Sequence, residues 1–255
     1  MRTMLSALWL PALALGVMLF LYIPLFALIM YSFNASSLGT LWGGWSVRWY
    51  QELFEQPELW IALKNSLLVA SSAVVLSVTM AVAYVCWGAS ARLHKLFPIF
   101  YTSMAIPEIV FAVSLLVFLT ALPVPLGIPT LIVGHTLLGL GFIIPLIRTQ
   151  FLELDTRLIE ASLDLGASER QTFFKITLPL LRPAIIASAL LVFVLSFDDF
   201  LISFFCSGAT GQTLSLYIFG LIRMGASPLI NALSTIMLVA SSVLVLIFCS
   251  LNVRA

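Results

Sequence analysis

Charge is what this sequence most lacks. Of its 255 residues, 9% are Asp, Glu, Lys or Arg and 62% are hydrophobic. A soluble domain carries about 25% charge and about 45–50% apolar residues, so an ordinary soluble domain is excluded, and so is a disordered chain. Cysteine is scarce as well. Cys86, Cys206 and Cys249 are scattered, with neither a CxxC pair nor metal-ligand spacing, which excludes a disulfide scaffold and gives no metal site. The formal net charge is +1, without the clustered Lys and Arg that a nucleic-acid partner requires. No GxxxxGK[ST] phosphate loop is present, so the chain does not bind ATP in that way and no catalytic residue is assigned.

What is present is apolar sequence in long runs. A spanning helix takes about 20 such residues, and six runs stand out, centred on Ala7–Met30, Ile61–Trp87, Phe97–Leu122, Ile128–Ile147, Pro183–Cys206 and Leu229–Leu251. The expected fold is an all-α polytopic membrane protein of six transmembrane helices in lipid. The first run is longer than the apolar core of a signal peptide and no small-x-small cleavage site follows it, so it reads as an uncleaved span.

Basic residues orient the spans. With the N-terminus inside, Arg2, Arg92, Lys95, Arg148, Arg157, Arg170, Lys175, Arg182 and Arg254 are all cytoplasmic, and only Arg48, Lys64 and Arg223 fall outside. Both termini are therefore expected in the cytoplasm. The outer loop after the first span holds Trp42, Trp45, Trp49, Tyr50 and Trp60. This is either an interfacial aromatic belt or the lining of a vestibule. The segment Ser207–Pro228 is punctuated by glycine and carries an apolar piece too short to span, Leu214–Phe219, which reads as re-entrant or interfacial.

The one long polar stretch, Arg148–Arg182, has the local grammar of two short helices. Asp155 is placed to cap the first and Gly166 to stop it. Ser168 and Gln171 fit a capping box for the second, and Leu178-Pro179 is expected to end it. Glu160 and Asp164 fall on one turn, with Phe173, Phe174 and Ile176 as apolar anchors. The stretch either packs on the bundle's own inner face or docks a cytoplasmic partner.

The run Glu160-Ala161-Ser162, then Gly166, then Ile176-Thr177-Leu178-Pro179 resembles the EAA loop of ABC importer permeases, with Ser162 where the family usually has a second alanine. The rest of the chain resembles the spermidine/putrescine subgroup through Tyr31-Ser32-Phe33-Asn34, Trp45 with Trp49-Tyr50, Pro107-Glu108, Leu195-Ser196-Phe197-Asp198-Asp199, Arg223-Met224-Gly225 and Asn231-Ala232-Leu233. Two positions depart from that subgroup: Glu108 stands where Asp is usual, and Leu229 where an acid usually follows the proline. The resemblance implies the type I importer architecture, with residues 1–60 as the first helix and outer aromatic loop. Residues 61–255 would be a five-helix core with a coupling loop at 148–182. It further implies ATPase coupling through Glu160, Ala161, Gly166, Ile176, Leu178 and Pro179. The implied partners are a sister permease, two ATP-binding subunits and an extracytoplasmic solute-binding protein. ATP and Mg would sit on the partner ATPase, with no cofactor bound by this chain. The implied location is the bacterial inner membrane.

Glu108, Asp198 and Asp199 are out of place by composition alone. An ionised side chain at mid-bilayer costs about 2.5–3.5 kcal/mol, and no Lys or Arg lies in a span core to pair with these acids. On a straight third span Glu108 lies roughly 16 Å in from the cytoplasmic start. On a continuous fifth span Ser196, Asp199 and Ser203 share a polar face, with Asp198 turned about 100° away. Separated carboxylates, with Trp45 at the outer mouth, suit a polyamine, whose ammonium groups are spaced along methylenes. The substrate path is thus expected along Glu108, Asp198, Asp199, Ser196 and Trp45. His135, beside Gly134, reads as a helix-packing hydrogen bonder. An aspartyl protease needs two facing carboxylates, which adjacent, diverging acids on one helix do not supply. A passive channel leaves the paired cytoplasmic helices unexplained. An importer of another small cation or organic solute remains open.

Overall fold

The computed structural model describes residues 2–37, 41–87, 97–225 and 227–252. Arg92, Lys95 and Arg254 lie outside the described residues, as do the side chains of Arg2 and Cys249. Twelve α-helices are described: α1 (Arg2–Ser32), α2 (Arg48–Phe54), α3 (Pro57–Trp87), α4 (Phe97–Ser103), α5 (Glu108–Thr120), α6 (Ile128–Leu152), α7 (Thr156–Asp164), α8 (Glu169–Thr172), α9 (Leu178–Asp198), α10 (Leu201–Cys206), α11 (Leu214–Arg223) and α12 (Pro228–Asn252). The described residues form no strand beyond an isolated bridge between Asn34 and Trp45. In a bilayer only a helix satisfies its own backbone within one segment, which is why these apolar runs are helical throughout.

Among the described residues, four helices are long and apolar enough to span a membrane, or five if the bent pair α4–α5 counts as one span. The sixth expected span is α12; its portion Pro228–Val243 is a shorter apolar helix by the same measure.

The chain divides into two compact units. One contains residues up to Leu59 together with those from Ile218 onward. In it α12 packs on α1 and on α2, and the loop after α1 folds around Asn34. That side chain is fully buried. Its Nδ2 donates to Leu41 O at 2.7 Å, while its Oδ1 accepts from Gly43 N at 2.7 Å and Ser36 N at 3.2 Å. Trp49 Nε1 donates to the Asn34 carbonyl at 2.6 Å.

The other unit is Trp60–Tyr217. Here α6 packs along α9, α4 packs on α6, and α10 packs on α5 and α6. Ile143, Ile144, Ile147, Leu181 and Val192 form one buried core; Val69, Ala112, Leu131 and Ile202 lie in another. Gly134 lets α5 and α10 close on α6. A Cβ there would stand 2.7 Å from Leu115 Cδ2 and 2.9 Å from Ile202 Cγ2.

Two expected spans are broken. The third bends by 115° between α4 and α5. Pro107 has no N–H to continue the ladder and forces Ile106 out of helical conformation, while Pro107 itself is extended (φ −56°, ψ 131°). Glu108 therefore begins α5, and the 16 Å depth from a straight helix does not apply. The fifth breaks at Asp199 (φ −61°, ψ 128°), so the continuous polar face Ser196–Asp199–Ser203 is not a helical face. Asp199 stops α9 by bonding forward: its Oδ1 accepts from Ile202 N at 3.3 Å and its Oδ2 from Ser203 N at 2.9 Å, satisfying the first turn of α10. The expected stop at Leu178-Pro179 is also corrected. After α8 the chain makes a π-helical turn, Phe173–Thr177, and runs straight into α9 with Pro179 in its first turn. A proline removes one donor, and the first turn of a helix is where that donor has least to lose.

Candidate functional site

The intramembrane acids occupy the two breaks. Glu108 is the first residue of α5 and exposed; Asp198 ends α9 and is exposed; Asp199 is 5% exposed. Although α5 and α9 are remote in sequence, Glu108 and Asp199 are brought close enough for their carboxyls to interact. A carboxylate at a helix N-terminus is favoured by the unsatisfied N–H groups there. This explains how Glu108 and Asp199 are held in an apolar bundle without a lysine or arginine partner. Asp198, at a helix C-terminus, has no such compensation and stays on the accessible side.

His135, on α6, is 1% exposed and joins this cluster. Its Nδ1 hydrogen-bonds Ser196 Oγ at 3.0 Å, and its Nε2 faces Asp199 Oδ2 at 3.6 Å. Ser215 Oγ donates to the Asp199 carbonyl at 2.6 Å, tying the start of α11 to the same break. The packing role expected for His135 is thus real, but its partners are site residues. The sequence signal was faint: one histidine beside a glycine in an apolar run. Glu108 opens into a cavity of about 230 Å³ whose walls include Met104, Phe111, Leu138, Phe142 and Leu195. An apolar wall beside a carboxylate suits a cation carried on a hydrocarbon chain.

Trp45 lies in the other unit and is exposed. It stacks edge-on with Trp42 at 5.2 Å and contacts Phe33 at 6.2 Å. Beside this loop, Tyr31, Ile222, Gly225 and Asn231 line a cavity of about 470 Å³. The sequence flagged the tryptophans but not Asn34, the residue on which the loop is built.

The cytoplasmic-type loop has the expected caps. Asp155 accepts from Arg157 N at 3.0 Å, and Ser168 with Gln171 forms a reciprocal capping box. After α7, Gly166 takes φ +84°. Gly166 N donates to Leu163 O and Ala167 N to Ser162 O, at 2.9 and 3.1 Å, which is the Schellman closure of a helix end. Ser162 also bonds Thr172 through their hydroxyls at 2.9 Å, bracing α7 against α8. Glu160, Ala161, Gly166 and Pro179 are exposed; Ile176 and Leu178 are half-buried. No residue of α7 is buried; Leu158 and Leu163 on it and Leu165 just after it are exposed. An exposed apolar rim around a well-capped helix is the mark of an interaction surface.

Comparison with known proteins identifies the family. The sequence profile of the family described as "Binding-protein-dependent transport system inner membrane component" matches residues 94–254. The putrescine transport system permease PotI of Escherichia coli K12 is 37% identical over 246 residues, 92% of this chain and 88% of that protein. The spermidine/putrescine permease PotC of the same strain is 37% identical over 234 residues, 89% of this chain and 87% of that protein. Among solved structures, a bacterial ABC transporter involved in the import of the acidic polysaccharide alginate superposes with a TM-score of 0.74 at 16% identity, covering 99% of this chain and 97% of the other. At that identity the likeness establishes the fold alone. The chain belongs to the binding-protein-dependent transport system inner membrane components: it is a multi-pass membrane permease with the fold of an ABC importer subunit.

Proposed function

We propose that this permease carries polyamines into the cell as one of two membrane subunits of an ATP-driven importer. The observation that carries the substrate reading is the approach of Glu108, which lines an apolar cavity, to the buried Asp199. Two like charges at such range repel, and a cation between them relieves the repulsion. The kinship with putrescine and spermidine/putrescine permeases over nearly the whole chain supports the same substrate class. Asp198 and Ser196 flank the site, and Trp45 guides the polycation at the outer mouth.

The chain does no chemistry itself. ATP and Mg bind a pair of partner ATPase subunits, which receive the α7 helix at Glu160 and Ala161. The Gly166 turn and the Ile176–Pro179 segment transmit their closure to α9. A sister permease completes the path, and an extracytoplasmic binding protein delivers the solute. Both termini face the cytoplasm.

The test is reconstitution of the four partners in liposomes. ATP hydrolysis should rise with putrescine- or spermidine-loaded binding protein and not with the unloaded protein. Stimulation by a different solute's binding protein would replace the polyamine with that solute and leave the permease role intact.

A further inference from the structure

Polar side chains from three segments converge where the two broken helices meet α6. The His135 Nε2 atom is buried without a hydrogen-bond partner, although Asp199 Oδ2 lies 3.6 Å away. An imidazole N–H beside a carboxylate closes to about 2.7–2.9 Å. A proton on Nδ1, donated to Ser196 Oγ 3.0 Å away, leaves Nε2 free to accept. Asp199 receives backbone N–H groups from Ile202 and Ser203, one on each oxygen, which leaves lone pairs to spare. Glu108, the other carboxyl neighbour of Asp199, reaches the same cluster from α5 and offers carboxylate oxygens when ionised. The Ser203 hydroxyl beside them bonds to none of these groups. Three groups able to accept thus converge from α5, α6 and the α9–α10 break, and among the described residues no hydrogen bond reaches His135 Nε2.

We propose that His135 Nε2, Asp199 and Glu108 together receive one terminal primary ammonium of the substrate. An R–NH3⁺ group has three N–H donors and no acceptor, one for each member of the set. The imidazole supplies the third acceptor without a third buried charge, which in a membrane is the less costly choice. Glu108 belongs both to this set and to the apolar cavity, so the carbon chain behind the ammonium lies along Phe111, Leu138 and Phe142. This inference rests on the polyamine reading and adds to it a neutral ligand and a requirement for an unalkylated amine end.

The test uses the whole importer in liposomes, with putrescine as the probe. Replacing His135 with Phe keeps a ring of similar bulk and removes both nitrogens; His135→Gln returns a carbonyl acceptor. The import rate at saturating loaded binding protein should fall about tenfold or more in H135F, and H135Q should retain a larger share. Co-purification of the partner subunits shows whether each variant assembles. In wild type, the ¹⁵N resonances of His135 should show the proton on Nδ1 and an Nε2 shift when putrescine is bound. These readings stand even if H135F does not assemble. A proton on Nε2, or import by H135F at the wild-type rate, overturns the ammonium receptor. A wild-type importer that moves neither putrescine nor spermidine overturns the polyamine reading itself.

Discussion

Asp198 and Asp199 are neighbours with different duties, because a helix ends between them. Asp199 spends its carboxylate on the first turn of α10, and Asp198 remains accessible. Asn caps a helix about as well as Asp, whereas Ala costs about 0.5–2 kcal/mol at such a position. Asp199→Asn should therefore assemble and melt like wild type but import more slowly, and Asp199→Ala should also melt at a lower temperature; thermal unfolding of the purified complex distinguishes them. Glu108→Gln keeps shape and removes charge, and a lost charge-assisted contact costs about 1.5–3 kcal/mol. Polyamine uptake at matched expression should fall by about ten- to a hundred-fold, with Asp198→Asn showing a smaller loss. If all three neutral variants transport normally, the carboxylates are structural. In the outer loop Asn34 holds three backbone groups. Asn34→Ala should loosen the loop by about 1–3 kcal/mol, seen as faster proteolysis between Phe33 and Trp45.

At the scale of elements, the proposed coupling role falls to the exposed helix α7 and its turn. Gly166 at φ +84° has open space around a would-be Cβ, so a side chain there meets conformational strain and no clash. That strain costs about 1–2 kcal/mol, and it falls on a surface turn outside the membrane. Gly166→Val, like the charge reversal Glu160→Lys, should leave membrane insertion intact and reduce recovery of the ATPase subunit with the complex. Normal, substrate-stimulated complexes from both variants would refute the docking role. The broken helices are elements of a different kind. Pro107 makes one break by withholding a donor, and Asp199 makes the other by offering an acceptor, so only the first is visible as a helix breaker in the chain.

For the whole molecule, the positive-inside distribution of basic residues makes a topological prediction. A reporter fused after Ala255, a position outside the described residues, should read cytoplasmic, and one inserted near Gln56 should read external. Finding both on one side means that the number of crossings is odd. The fold does not decide the cargo, since a transporter of an acidic polysaccharide shares it at 16% identity. Substrate choice is a property of the residues set into that frame, and the residues proposed for it here are carboxylates and one histidine.

The apolar runs, the caps at Asp155, Ser168 and Gly166, and the oddity of three acids in lipid were all legible in the sequence. Each depends on residues within a few positions of one another, where composition and helical spacing act directly. The 115° bend, the break at Asp199, the reach of Glu108 to Asp199 and the place of His135 between Ser196 and Asp199 were decided by tertiary structure. These contacts join segments up to about 90 residues apart, and they form because Gly134 lets α5 and α10 approach α6 closely enough for polar groups to meet. Sequence spacing measures distance along one helix; it carries no measure of which helix ends are brought face to face when apolar surfaces pack.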